Sequence, residues 1–193
     1  MKLPRAFGPI DVAVLVVILV MVVLPPRRMY ASAAVAGDDA TRFELAVAEA
    51  RTIAHPTDGA DVTELARRLG DANFKDWAVA VSVEGAAAAK GTPSEWKALL
   101  AASVAYVDKL EVGPALDFAN RALATCRGLS GGCPSWEDAR MSLYQQHLAA
   151  GIKSGIDPRI DPKGFREAGE AALRSIRLKS SERERGSVPS APQ

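Results

Sequence analysis

Four prolines, Pro93, Pro114, Pro134 and Pro162, each stand at the head of a stretch in which apolar residues return every three or four positions. Proline at a first helical position gives up only an N–H that the first turn leaves unpaired, so it opens a helix there and breaks one anywhere later. Glycine or a basic residue closes most of the same stretches, which is how helices end. A chain punctuated in this way has little choice but short helices joined by tight turns. Composition agrees: beyond the N-terminal segment Ala and Leu dominate, aromatics make up only 6% of the chain, and no Val/Ile alternation marks a strand. The expected fold class is all-α.

The individual helices follow. Thr41-Arg42-Phe43-Glu44 reads as a capping box, with Phe43, Ala46, Val47, Ala50 and Ile53 as an apolar face before His55-Pro56. A short helix over 61–69 stops at Gly70, and one over 73–89, with Trp77, Val81 and Ala88 available for burial, stops at Gly91. Thr92-Pro93-Ser94-Glu95 combines an N-cap Thr, Pro at the first position and Glu at the third, opening a helix that carries Trp96, Leu99, Leu100, Tyr106 and Val107. Pro114 opens a helix ending near Arg127-Gly128, Pro134 one reaching about Lys153, and Pro162 one reaching about Lys179 with Phe165, Ala168, Gly169, Ala172, Leu173 and Ile176 inward. Seven helices on short connections predict antiparallel neighbours.

Ahead of them lies an uninterrupted apolar run, residues 12–24 (VAVLVVILVMVVL), between Lys2/Arg5 and Arg27-Arg28. As a helix it rises about 20 Å, short of a hydrocarbon core of roughly 30 Å, which is signal-peptide length. From Ala6 to Pro26 only Asp11 is charged, however, and that longer stretch reaches about 31 Å. Three outcomes stay open: an uncleaved single-pass anchor contacting the membrane through residues 10–26, cleaved export at the small-residue sites ending in Ala33 or Ala36, or a body that faces the cytoplasm. Arg27-Arg28 resists translocation and favours the anchor. The chain divides accordingly into a signal anchor (1–28), a tether (29–40), a helical domain (41–179) and a charged tail with almost no apolar content, expected to be disordered (180–193).

Basic residues flank the apolar run on both sides, so charge bias does not orient it. The two cysteines do. Cys126 and Cys133 enclose Arg127-Gly128-Leu129-Ser130-Gly131-Gly132, a loop flexible enough for a disulfide, and such a pair bridges in an oxidising space outside the cytoplasm. The expected location is a bacterial-type inner membrane with the helical domain in the periplasm, or the periplasm itself after cleavage.

Several functions lose support. Net charge is +1 with no basic stripe, which argues against a nucleic-acid partner. His55 and His147 are isolated from each other and from both cysteines, so no metal ligand set or haem motif is present and no cofactor is expected. No nucleophile elbow, zincin motif, P-loop or dinucleotide fingerprint occurs, so no catalytic residue and no small-molecule substrate is expected.

Residues 96–127 resemble a tetratricopeptide repeat, a helix-turn-helix unit of about 34 residues. Ala115 takes the small position opening the second helix and Ala122 the small position seven later. Tyr106 takes the aromatic position and Ser103 the small site where the helices cross. Ala119, beside Phe118, stands where the family has a larger aromatic, and Arg127 replaces its closing proline. Leu69-Gly70-Asp71 and the segment from Asn73 to Ala78 resemble the turn and second helix of a preceding unit, displaced by about 37 residues; Pro134-Ser135-Trp136 echoes Pro93-Ser94-Glu95-Trp96, with the cysteine loop taking up the excess. The resemblance implies antiparallel hairpins stacked as a short solenoid; an ordinary Ala-rich helical bundle is the alternative. It also implies a groove along the first helices of the units, where Arg140, Tyr144 and His147 share one stripe and form a candidate peptide-binding surface, against the alternative that both rings are packing residues. The function expected is a membrane-anchored adaptor for one or more protein partners, as an accessory subunit of a membrane complex. A glycan-cleaving envelope enzyme and a purely structural subunit remain as alternatives.

Overall fold

The computed structural model describes residues 39–186, with side chains placed through residue 175. The apolar run, the tether up to Asp38 and residues 187–193 lie outside the described residues. Seven α-helices and no strand occur among the described residues: α1 (Asp39–Ala54), α2 (Gly59–Asp71), α3 (Lys75–Ala88), α4 (Glu95–Asp108), α5 (Val112–Arg127), α6 (Ser135–Lys153) and α7 (Pro162–Gly186). No helix among the described residues is long and apolar enough to cross a membrane.

The helix ends show where local sequence logic prevails and where it yields. Pro134 and Pro162 stand at the starts of α6 and α7, and α5 ends at Arg127 with Gly128 as its C-cap. At α2 the cap is Asp58, whose Oδ1 accepts the Ala60 N–H at 2.8 Å, so the helix begins before residue 61. Thr92 does not cap α4. Its hydroxyl donates to the Ala89 carbonyl at 2.7 Å, while Glu95 reaches back to the Gly91 N–H at 2.7 Å. Nor does Thr41 cap α1, which starts two residues earlier at Asp39, an acid suited to the positive helix end. α7 continues past Lys179 to Gly186, through Glu and Arg residues at 182–185 that are good helix formers.

Gly70 lies inside α2 rather than ending it. The terminator is Asn73, which takes a left-handed conformation (φ 64°) and lets the Phe74 N–H bond the Leu69 carbonyl at 2.8 Å. α4 closes the same way: Leu110 is left-handed (φ 61°) and the Glu111 N–H bonds the Tyr106 carbonyl at 2.9 Å. In both turns the left-handed residue also bonds the carbonyl three positions back, Gly70 or Val107, at 2.8 Å. The two closures are thus the same motif, repeated at the displacement that the sequence showed.

Each helix packs on the next in the chain, and α2 also packs on α4. Buried residues gather in three clusters that follow chain order. Leu45, Leu65, Leu69, Ala78 and Val81 join α1, α2 and α3; Val62, Ala86, Trp96, Leu99, Leu123 and Met141 join α2 through α6; Ala115, Ala119, Leu148 and Phe165 join α5, α6 and α7. Small residues set the spacing of the central pair. Ala98, Ala102 and Ser103 of α4 and Ala115 and Ala122 of α5 are fully buried, and the Ser103 hydroxyl donates to the Ala115 carbonyl at 2.6 Å. α6 and α7 run antiparallel, with Gly151 under the Phe165 ring and Gly169 under the His147 ring; a Cβ on either glycine would lie within 2.6 Å of that ring. The disulfide Cys126–Cys133 ties the end of α5 to the start of α6.

The inward face of α1 differs from the one its spacing indicated. Leu45, Ala48, Glu49 and Thr52 are buried, whereas Phe43 is 69% and Ile53 58% exposed, and Ala46 and Ala50 also face solvent. α1 has apolar residues on two sides. α2 engages the side on which the Thr52 hydroxyl bonds Asp61 across the interface at 3.2 Å and Glu44 pairs with Arg68. In α3, Val81 is buried as expected, but Ala88 is exposed while Ala86 and Ala89 are covered.

Candidate interaction groove

α2 and α4 lie side by side and run in the same direction. Their starts meet where the Ser94 hydroxyl accepts the Gly59 N–H at 3.2 Å and donates to the Thr57 carbonyl at 2.8 Å. Contact here is close enough that a Cβ on Gly59 would sit 2.3 Å from the Ser94 carbonyl oxygen. Their ends meet where Gly70 approaches the Asp108 carboxylate. The outward faces of these two helices, with one wall from α6, enclose a groove of about 380 Å³.

Its floor is apolar: Leu100, Ala101, Val104 and Ala105 of α4, with Trp96 at one side and Val104 45% exposed. Its walls are charged. On α2, Glu64 receives Arg67 at 2.7 Å and Arg68 at 2.7 Å, and Arg67 also reaches Asp71 at 2.8 Å. Hydrogen bonding from Arg67, with Arg68 adding to it against some desolvation, holds the Glu64 carboxyl down at about 2. On α6, Glu137 is buried and receives the Arg140 guanidinium at 2.8 Å, while the same guanidinium lies over the exposed Trp136 ring at 5.7 Å. At the far end of α4, partial burial raises the Asp108 carboxyl above the usual range; Lys75 opposes this and Asp71 adds to it.

Arg140 therefore lines the groove. Tyr144 and His147 are placed elsewhere. Tyr144 packs against the cluster of Ala115, Ala119 and Leu148 with its hydroxyl 3.3 Å from Ser103, and burial pushes that hydroxyl up. His147 lies on Gly169 of α7. The stripe is sound helical geometry, but from about His147 onward α7 covers it, and Tyr144, about 40° further round than Arg140, turns its ring toward α4 and α5. Spacing within one helix carries no information about which neighbour descends on it. The groove residues that this reading omitted, Arg67 on α2 and Lys97, Val104 and Asp108 on α4, follow from the same rule applied to the other two first helices.

The chain matches no protein-family model, no curated protein and no solved structure. Its groove is to be judged on its own chemistry. No group of three or more His, Cys, Asp or Glu placed to hold a metal ion occurs among the described residues. A second depression of about 460 Å³, between the α4–α5 and α6–α7 turns, is wide and formed largely by turn residues such as Gly113, Pro114 and Gly155. The α2–α4–α6 groove differs in having an apolar floor and an aromatic beside an arginine, features found at the centre of protein–protein contacts, within a charged rim.

Proposed function

We propose that this chain is a membrane-anchored adaptor facing the cell envelope, whose tetratricopeptide-like stack of helical hairpins holds a segment of a partner protein as part of a membrane complex. The observation that carries this reading is the groove itself, which runs over the first helices of successive hairpins and has an apolar floor within charged walls. Stacking rather than bundling is supported by the contact of α2 with α4, by the matching closures at Asn73 and Leu110, and by a core that proceeds in three clusters along the chain. The apolar run at 12–24 and the disulfide support an anchored protein with its helical domain outside the cytoplasm.

A photo-crosslinking residue at Val104 of the full-length protein in its native membranes tests the reading. The expected product is a discrete adduct with one protein, abolished by Leu100→Arg; the absence of any adduct, with the protein folded and membrane-bound, would sink it. One observation favours the enzyme alternative: Glu137 is a buried carboxylate at the groove. Arg140 holds it in an ion pair, and the groove is open along its length. If the groove cleaved glycan strands, Glu137→Gln would abolish release of soluble fragments from purified peptidoglycan; the adaptor reading expects no release from either protein.

A further inference from the structure

Most charges at the groove are already neutralised within it. Arg67 is shared between Glu64 and Asp71, and Arg140 is spent on Glu137. Two charges are not. Among the described residues neither Lys97 nor Asp108 makes an ion pair: Lys97 lies over the Trp96 ring at 5.6 Å, and Asp108 feels Lys75 and Asp71 only at longer range. Both project from α4 on the stripe that holds Val104, and they line opposite ends of the groove. Eleven positions at 1.5 Å each separate them by about 16 Å, which an extended peptide spans with about five residues.

The backbone reinforces the same polarity. Because α2 and α4 run in parallel, both helix N-termini lie at the Lys97 end, and both C-termini, with Asp71 and Asp108 as their last residues, lie at the other. Two macrodipoles and two unpaired charges therefore give one end of the groove a positive potential and the other a negative one, across an apolar floor. Exposed ion pairs add little to affinity, but they set orientation and reject partners of the wrong sign.

We infer that the groove takes an extended peptide segment of mixed charge, with an acidic side chain at the Lys97 end, a basic side chain at the Asp71–Asp108 end, and apolar side chains between them on Leu100, Ala101 and Val104. This rests on the adaptor reading and adds to it the partner's charge order and its direction in the groove. A uniformly acidic or uniformly basic tail is disfavoured, since each meets its own sign at one end.

The test is selection from a phage-displayed library of random heptapeptides on the full-length protein in detergent micelles. Enriched peptides are expected to carry one acidic and one basic residue four to six positions apart, in a single N-to-C order, with apolar residues between. Lys97→Glu should exchange the acidic preference for a basic one and weaken the original peptides at least tenfold. Asp108→Lys should do the converse, and the double variant should restore binding with the charge order reversed. Both residues are exposed, and unchanged thermal melts of the variants serve as the folding control. Enrichment that Val104→Arg abolishes but that shows no charge pattern, or a pattern indifferent to both charge changes, overturns the inference and leaves the groove reading intact. No enrichment, or enrichment that survives Val104→Arg, overturns both.

Discussion

Glu64 sits where two arginines of its own helix converge, with Arg67 and Arg68 both within 2.7 Å of its Oε1. Its carboxyl is held at about 2 against an ordinary 4.5. Since the folded-state value is the lower one, the stabilisation is full above pH 4.5 and is lost as pH falls through about 2. Denaturant midpoints should thus decline between pH 4.5 and 2 more steeply in the wild type than in Glu64→Gln. Subtraction of the two profiles isolates this carboxylate from Asp76 and Asp138, which Lys109 and Arg127 also hold low. Leu110 offers a contrasting case, because a γ-branched side chain in the left-handed region carries a backbone cost that Asn73, its counterpart one unit earlier, largely escapes. Leu110→Asn should raise the unfolding free energy by about 0.5 to 1 kcal/mol, read from equilibrium denaturation. This turn was not legible in advance, since nothing in a leucine announces a positive φ. Gly70 looked like the natural stop for α2, yet the chain ran one residue beyond it and used an asparagine.

At the scale of the helices, α1 separates two kinds of apolar residue that the sequence presents alike. Leu45 is 1% exposed against α2 and α3, whereas Phe43 is 69% exposed. Leu45→Ala should cost about 2 to 5 kcal/mol, whereas Phe43→Ser should stay within about 0.5 kcal/mol, by chemical denaturation. A helix with two apolar stripes has no periodicity that tells which one the neighbour takes, and the choice came from Thr52 and Glu44, polar residues whose partners lie on α2. Proline-headed starts held at α6 and α7, whereas α4 begins at Glu95, two residues after Pro93, and α5 at Val112, two residues before Pro114, whose missing N–H still falls within the first turn. Arg140 lines the groove, whereas Tyr144 and His147 face elsewhere because α4 and α7, remote in sequence, decide what their part of α6 meets. Between α5 and α6, closing the loop by Cys126–Cys133 should contribute roughly 2 to 3 kcal/mol. In protein taken from its native compartment both thiols should resist alkylation until reductant is added. Labelling of both without reductant would remove the main support for a domain outside the cytoplasm.

The molecule as a whole should not melt as a uniform body. Among the described residues, α4 and α5 pack most extensively and lie between neighbours on both sides, whereas α1 and α7 each pack closely on one neighbour. Native-state amide exchange should be slowest in α4 and α5 and faster by at least tenfold in α1 and α7, a gradient that a bundle around a single core would not show. The two flanks also differ in kind. α7 turns Arg166, Glu167, Glu170 and Arg174 to solvent and finishes the row with charge, whereas α1 turns a bare hydrocarbon flank outward. Among the described residues the two flanks are therefore unlike: salt screens what the α7 side presents and leaves the hydrocarbon of the α1 side unaffected.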